Sequence, residues 1–282
     1  MKRLKLVKDK YILSKQIEKY KLEGKKIGFV PTLGGLHKGH LKLIRFAKKK
    51  SDVVIASIFL NPIQFNSKKD FQSYPLNIFQ DKKKIKLENI DILYIPDIKQ
   101  IFPEKRIKKI RASKIAKKLC GKHRDGHFDG VVTVLKRMFD QVSPTLVFFG
   151  EKDFQQIKVV QDLINKYKIK IKILTLPTVR NKSGLALSSR NILLNKKQKS
   201  IAPYLFKTIK HILKKAITNP KKIEELTKWG KIKLLNHGFD SIDYLEVYNE
   251  NNFSQLNISN KNLRVFVAAN LGNIRLIDNI AK

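Results

Sequence analysis

Two histidines, His37 and His40, close a glycine-bearing stretch: Leu33, Gly34, Gly35, Leu36, His37, Lys38, Gly39, His40. An apolar run at 27–30 precedes it. Leu41, Ile44 and Ala47 follow on one helical face. The pattern predicts a strand, a loop and a helix start. A helix start offers free backbone N–H groups and the positive end of the helix dipole, so the loop suits an anionic phosphate. Glycine also lets the chain approach a ligand closely. Two histidines capping an ordinary helix stand as the alternative.

Three more polar clusters each follow an apolar run or turn. After residues 53–59 come Asn61, Pro62 and Gln64, whose neutral amides suit hydroxyl and carboxylate groups; ordinary turn residues are the alternative. After residues 146–149 come Gly150, Glu151, Lys152, Asp153 and Gln156. Lys152 puts a positive charge where phosphates would lie, and Asp153 suits ribose hydroxyls. Asp153 and Gln156 also have capping-box spacing. Leu187, Ser188, Ser189 and Arg190 offer hydroxyls and a guanidinium to phosphate oxygens, or else cap a helix. His127 and Asp129 lack a third metal ligand at suitable spacing and read better as a structural turn. Asp81 is a weak candidate for a nucleotide-bound magnesium.

The elements that must carry these clusters alternate. Apolar runs at 27–30, 53–59, 92–95, 146–149 and 169–174 read as buried strands, with amphipathic helices between them. This predicts an α/β fold, a Rossmann-like doubly wound parallel sheet whose ligands bind beyond the strand carboxyl ends. After Pro177 the pattern changes. A helix capped by Asn195 runs to about residue 216, and another follows Pro220. Strands are expected at 243–248, 263–270 and 274–278, the last two as a hairpin. The division expected is a catalytic domain at 1–177 and a smaller α+β lid domain at 178–282.

Composition narrows the function classes. The 282 residues are 42% hydrophobic, enough for a sizeable core, and no run approaches a membrane span. The basic N-terminus has no apolar signal-peptide core, so a cytoplasmic location is expected. Cys120 is the lone cysteine, which excludes an internal disulfide and a cysteine-based zinc cluster. The net charge of +37 raises the question of nucleic acid, yet only ten of the 60 basic residues are arginine. Lysine scattered along the chain reads as a solvated surface, so neither a specific nucleic-acid partner nor a membrane is expected.

Taken in order, FVPTLGGLHKGH (29–40), VVIASIFLNPIQF (53–65), GKHRDGHFDGVVTV (121–134), FFGEKDFQQ (148–156) and PTVRNKSGLALSSRN (177–191) resemble the pantothenate synthetase (pantoate–β-alanine ligase) family of HxGH nucleotidyltransferase-like enzymes. The resemblance covers essentially the whole chain. It implies attack of the pantoate carboxylate on the α-phosphorus of ATP, then aminolysis of pantoyl adenylate by β-alanine, giving pantothenate, AMP and diphosphate. ATP and Mg2+ are the implied cofactors, with the metal ligands unassigned, and a homodimer is the implied assembly. Residue by residue, it implies that Leu33 to His40 contact ATP and that His40 is the proton donor, with His37 beside it. Gly150, Glu151, Lys152 and Asp153 are implied ATP contacts, as are Val179 by the adenine and Leu187, Ser188, Ser189 and Arg190 by the phosphates. Gln64 and Gln156, with Asn61, would hold pantoate. The family usually has methionine where Leu33 stands. A different HxGH transferase is the rival reading. Gln64 and Gln156 discriminate, because a phosphorylated substrate calls for cations there.

Overall fold

The computed structural model describes residues 4–255 and 262–282. It divides into two compact units, Met1–Pro177 and Thr178–Lys282. In the first, β1 (Lys5–Val7), α1 (Lys10–Leu22), β2 (Ile27–Thr32), α2 (Lys38–Lys48), β3 (Val53–Ile58), α3 (Lys68–Gln72), α4 (Ile78–Leu87), β4 (Ile92–Tyr94), α5 (Ile98–Ile101), α6 (Leu119–His123), α7 (His127–Val142), β5 (Leu146–Gly150), α8 (Phe154–Lys166) and β6 (Lys172–Leu176) follow one another. The six strands form one parallel sheet in the order β1-β4-β3-β2-β5-β6. Near-continuous apolar strands such as Val53–Ile58 are buried along their whole length, as a sheet covered on both faces requires.

The topology brings three of the candidate clusters to one place. From β2 the chain winds outward through β3 to β4, then returns to the other side of β2 with β5. The winding therefore reverses at β2, where Thr32 pairs with Ile58 of β3 and Phe29 pairs with Val147 of β5. Helices entering and leaving such a reversal splay apart and leave a crevice at the strand carboxyl ends. The loops after β2, β3 and β5 all open there. They carry the histidine, Asn61/Gln64 and Lys152 clusters.

Two differences from the sequence expectation have local causes. The first strand, β1, is only three residues long and alternates with lysine, so its apolar signal is faint. It is fixed by pairing with β4, Leu6 against Leu93. The strand expected at 169–174 begins instead at Lys172, because Lys168 takes a left-handed conformation (φ 50°) that turns the chain after α8.

The second unit holds α9 (Lys196–Ile201), α10 (Tyr204–Thr218), α11 (Ile223–Asn236) and an antiparallel sheet of β7 (Ser241–Asn249), β8 (Leu263–Leu271) and β9 (Ile274–Ala281). The single helix expected from Asn195 to about 216 is two helices, divided at Ala202 and Pro203. Pro203 lacks the N–H that a continuous helix would use and instead starts α10. Ile209, Ile212 and Leu234 pack on Leu245, Val265 and Val267 to close this unit's own core. Among the described residues, no helix is long and apolar enough to cross a membrane.

One packing contact bears on the site. A Cβ on Gly130 of α7 would lie 2.4 Å from the Ile63 carbonyl oxygen and 2.8 Å from the Gln64 Cα. Gly130→Ala should therefore destabilise the protein by about 1–3 kcal/mol, the usual cost of overpacking, seen as a lower urea midpoint. An unchanged midpoint would show that α7 moves away freely.

Candidate active site

The β2–α2 turn sets the geometry of the two histidines. Gly34 and Gly35 both have positive φ (86° and 63°), a conformation costly to any residue with a Cβ. His37 is the N-cap of α2, and its Nδ1 accepts the Gly39 N–H at 3.1 Å. His40, one turn on, accepts the His37 N–H on its own Nδ1 at 3.3 Å. The two rings thus form a reciprocal capping box, with centroids 4.1 Å apart. The capping alternative therefore holds, and it uses only one nitrogen of each ring, Nδ1.

This has a chemical consequence. A nitrogen that accepts a backbone N–H must keep its lone pair. Each neutral ring therefore carries its proton on Nε2, and each is a hydrogen-bond donor at that atom. Burial, the proximity of His40 and the Lys152 ammonium push His37 down to about 3. Burial, then the charges of Lys152 and Lys84, push His40 down to about 4. Both rings are neutral near pH 7. Lys152, at the end of β5, acts on both rings, so the first and third clusters share one electrostatic field.

The turn's own backbone departs from the expected phosphate cradle. Gly34 donates its N–H to Thr32 Oγ1 (3.2 Å), while Gly35 and Leu36 donate theirs to the two carboxylate oxygens of Asp81 (both 2.8 Å). With the His37 and Gly39 N–H groups spent in the capping box, these donors are taken within the protein. Asp81, 0% exposed with both oxygens engaged, is a fastener of this turn and does not fit as a magnesium ligand. Among the described residues, no group of three His, Cys, Asp or Glu side chains lies close enough to hold a metal.

In the second cluster, Asn61 is 0% exposed and stands behind Gln64. Its amide donates to Gln64 Oε1 at 2.9 Å and to the Gly130 carbonyl at 3.2 Å. Gln64 Oε1 is thus occupied, which leaves the Gln64 NH2 as that side chain's donor for a carboxylate or hydroxyl. The Gln64 backbone carbonyl accepts from His127 Nδ1 at 2.7 Å, and His127 Nε2 lies 3.0 Å from Arg124 Nη1. His127 is accordingly a structural clamp. The turn expected around His127 is there, but its partner Gln64 lies 63 residues away, beyond any local pattern.

In the third cluster, a Cβ built on Gly150 meets nothing within 4 Å, and its φ of −83° suits any residue. Neither packing nor backbone strain calls for glycine there. Open space above it is what a bound nucleotide would need. Glu151 accepts from Thr175 Oγ1 at 3.0 Å, and Lys152 Nζ lies 3.4 Å from Asp153 Oδ1. Asp153 occupies the N-cap position of α8 without a side-chain cap bond, so its expected capping box with Gln156 does not form. Gln156 remains a half-buried amide in the first turn of α8. Its neighbour Gln155 is the structural one, bonded to the Cys120 N–H and to the carbonyls of Ile115 and Lys118.

The fourth cluster lies in the second unit. Ser188 Oγ accepts the Arg190 N–H at 3.3 Å and caps a short 3-10 turn at Ser189–Leu193. Leu187 donates its N–H to the Val179 carbonyl at 2.9 Å, tying the two ends of a hairpin-like loop together. Arg180 anchors that loop by a two-pronged contact with Asp278 at 2.5 and 2.9 Å. Its guanidinium also covers the Phe206 ring at 3.6 Å.

The family model for pantoate-beta-alanine ligase matches residues 5–281. A pantothenate synthetase of Buchnera aphidicola is 41% identical over 277 residues, 97% of each chain. One from Hydrogenovibrio crunogenus is 37% identical over 270 residues, 95% of each. Among solved structures, the pantothenate synthetase of Thermus thermophilus superposes with a TM-score of 0.90 at 31% identity, over 98% of each chain. The pantoate-beta-alanine ligase of Francisella tularensis, complexed with beta-gamma ATP and beta-alanine, does so with a TM-score of 0.83 at 35% identity, over 99% of this chain and 98% of its own.

The tautomer assignment is testable. Ring 15N spectra should show His37 and His40 as Nε2–H imidazoles that do not titrate between about pH 5.5 and 8. Unfolding returns each ring to 6.5. Neutral burial therefore contributes fully above that pH, and the contribution is lost as pH falls through about 4 and then about 3. Urea midpoints should fall on acidification in the wild type and fall less in a His37→Gln, His40→Gln double variant. Equal slopes would contradict the assignment.

Proposed function

This chain belongs to the pantoate-beta-alanine ligase family and is an ATP-dependent ligase joining pantoate to β-alanine; we propose that it does so through a pantoyl adenylate formed at the crevice beyond β2, β3 and β5. The observation that carries this reading is the pairing of His37 and His40 as neutral Nε2–H donors in the field of Lys152.

The pantoate carboxylate oxygen attacks the α-phosphorus, the bond to the bridging oxygen breaks and diphosphate leaves. Charge accumulates on the phosphate oxygens, so preorganised donors and cations are the main requirement. The two Nε2–H groups and the Lys152 ammonium supply them. For His40 to protonate the departing diphosphate, as the resemblance implies, its ring first takes up a second proton from solvent at Nδ1 and releases the His37 N–H it caps; the phosphate anions favour this by raising the ring's basicity. The neutral β-alanine amine then attacks the acyl carbon, the bond to the adenylate oxygen breaks, AMP departs and the nitrogen loses one proton to solvent, leaving the amide. Gln64, oriented by Asn61, and Gln156 hold the pantoate hydroxyls and carboxylate. Leu33 to Leu36, Lys38, Gly39, Gly150, Glu151 and Asp153 line the nucleotide. Val179, Leu187, Ser188, Ser189 and Arg190 are assigned to ATP as well, and the lid role of residues 178–282 rests on that assignment. Mg2+ is taken as part of the nucleotide substrate. A homodimer and a cytoplasmic location complete the reading; light scattering of the purified protein checks the first.

AMP should form from ATP only with pantoate present, and free pantothenate only when β-alanine is added. AMP release without pantoate dependence would overturn the assignment. His40→Ala should slow single-turnover adenylation by about 10²–10⁴-fold with little change in folding.

Gln156→Ala should raise the pantoate KM and leave ATP binding nearly unchanged. An equal loss of both affinities would make Gln156 structural. Arg190→Ala should weaken adenylation, and scattering profiles with and without adenylate test the lid role: identical profiles with a fully active Arg190→Ala would remove it.

A further inference from the structure

The turn that places His37 and His40 is not self-supporting. Its residues 34–36 are fastened by side chains from one downstream segment, 74–84. Tyr74 donates its hydroxyl to the Gly34 carbonyl at 3.1 Å. Asp81 accepts the Gly35 and Leu36 N–H groups, one on each oxygen. Lys84 donates to the Leu36 carbonyl at 2.6 Å and lies 4.0 Å from Asp81 Oδ1. A Cβ on Gly34 would come within 2.3 Å of Leu76, so the same segment packs close enough to exclude any side chain at that position. Asp81 is wholly buried, and a carboxylate that accepts two backbone N–H groups makes charge-assisted bonds stronger than neutral ones. Asp81 and Lys84 are successive acidic and basic positions on one face of α4, three residues apart, and both reach the turn.

Resting on the ligase reading above, we propose that Asp81 and Lys84 of α4 are positioning residues for adenylation: they lock residues 34–36 so that His37 and His40 present Nε2–H to the nucleotide. The chain passes directly from Leu36 to His37, so a displaced turn displaces the cap and both rings with it. Lys84 has a second effect, since its charge reaches both imidazoles and helps keep them unprotonated. Neither residue touches the reacting atoms. Both act through the histidines.

Asp81→Asn is the direct test. Its NH2 would face a backbone N–H, donor against donor, and one buried N–H would lose its partner. Single-turnover pantoyl adenylate formation should fall by about 10–10²-fold, the scale of a misplacement near 1 Å. The pantoate KM should stay within about twofold, and aminolysis of supplied pantoyl adenylate by β-alanine within about threefold. The His37 and His40 ring 15N signals should shift. Lys84→Arg, which keeps donor and charge, should retain more of the adenylation rate than Lys84→Gln. Tyr74→Phe removes only one neutral bond and serves if Asp81→Asn does not fold; it should slow adenylation by a few-fold, with the same sparing of the second step. Loss of both half-reactions in equal proportion, or unmoved ring signals with a normal adenylation rate, would overturn the proposal. If the wild type makes no pantoate-dependent AMP, the ligase reading fails instead, and the ring signals of Asp81→Asn still decide whether α4 positions the histidines.

Discussion

The turn between β2 and α2 exposes more backbone N–H groups than its own carbonyls can accept, and the route by which each is satisfied governs the site. A helix start always leaves donors without intrahelical partners. Here the imidazole nitrogens take two of them and a buried carboxylate takes two more. The first choice fixes the tautomer of both histidines. The second fixes the turn itself, in a conformation that glycine at 34 and 35 makes inexpensive. The remaining chemistry depends on these bonds, because a ring whose Nδ1 is occupied can act only through Nε2.

Neutral donors beside a cation suit the reaction. Two imidazolium ions at van der Waals separation, next to Lys152, would repel one another and destabilise the empty site. Burial and nearby positive charge instead hold both rings neutral. In the proposed reaction, positive charge on the rings develops only as the nucleotide brings its own anions. The two rings thus sit beside the Lys152 ammonium without stacking like charges.

The same economy of contacts holds Gln64, the residue proposed to bind pantoate. Gln64 is held at three points: its side-chain oxygen by Asn61, its carbonyl by His127, and its backbone by close packing on Gly130. Its NH2 is the donor it offers to a ligand. Rigid placement of a neutral donor favours selection by hydroxyl and carboxylate geometry over crude charge attraction. This matters in a chain whose net charge is +37, which would otherwise draw anions indiscriminately.

Much of this was legible in the sequence. Short β-branched runs alternating with amphipathic helices determine a parallel α/β sheet, because such strands must be buried on both faces. The spelling of residues 33–40, 61–64, 150–156 and 187–190 identified the family and its candidate residues. Local pattern failed where the deciding partner is remote. The three-residue β1 has too little apolar content to signal a strand and exists through pairing with β4. Asp153 and Gln156 have capping-box spacing yet form none. Asp81 looked like a candidate for magnesium until its two oxygens were seen to hold residues 46 and 45 positions away. Sequence fixes which residue types are available at the strand ends. Which oxygen meets which N–H depends on long-range packing of α4 against the β2–α2 turn, and that the tertiary structure alone decides.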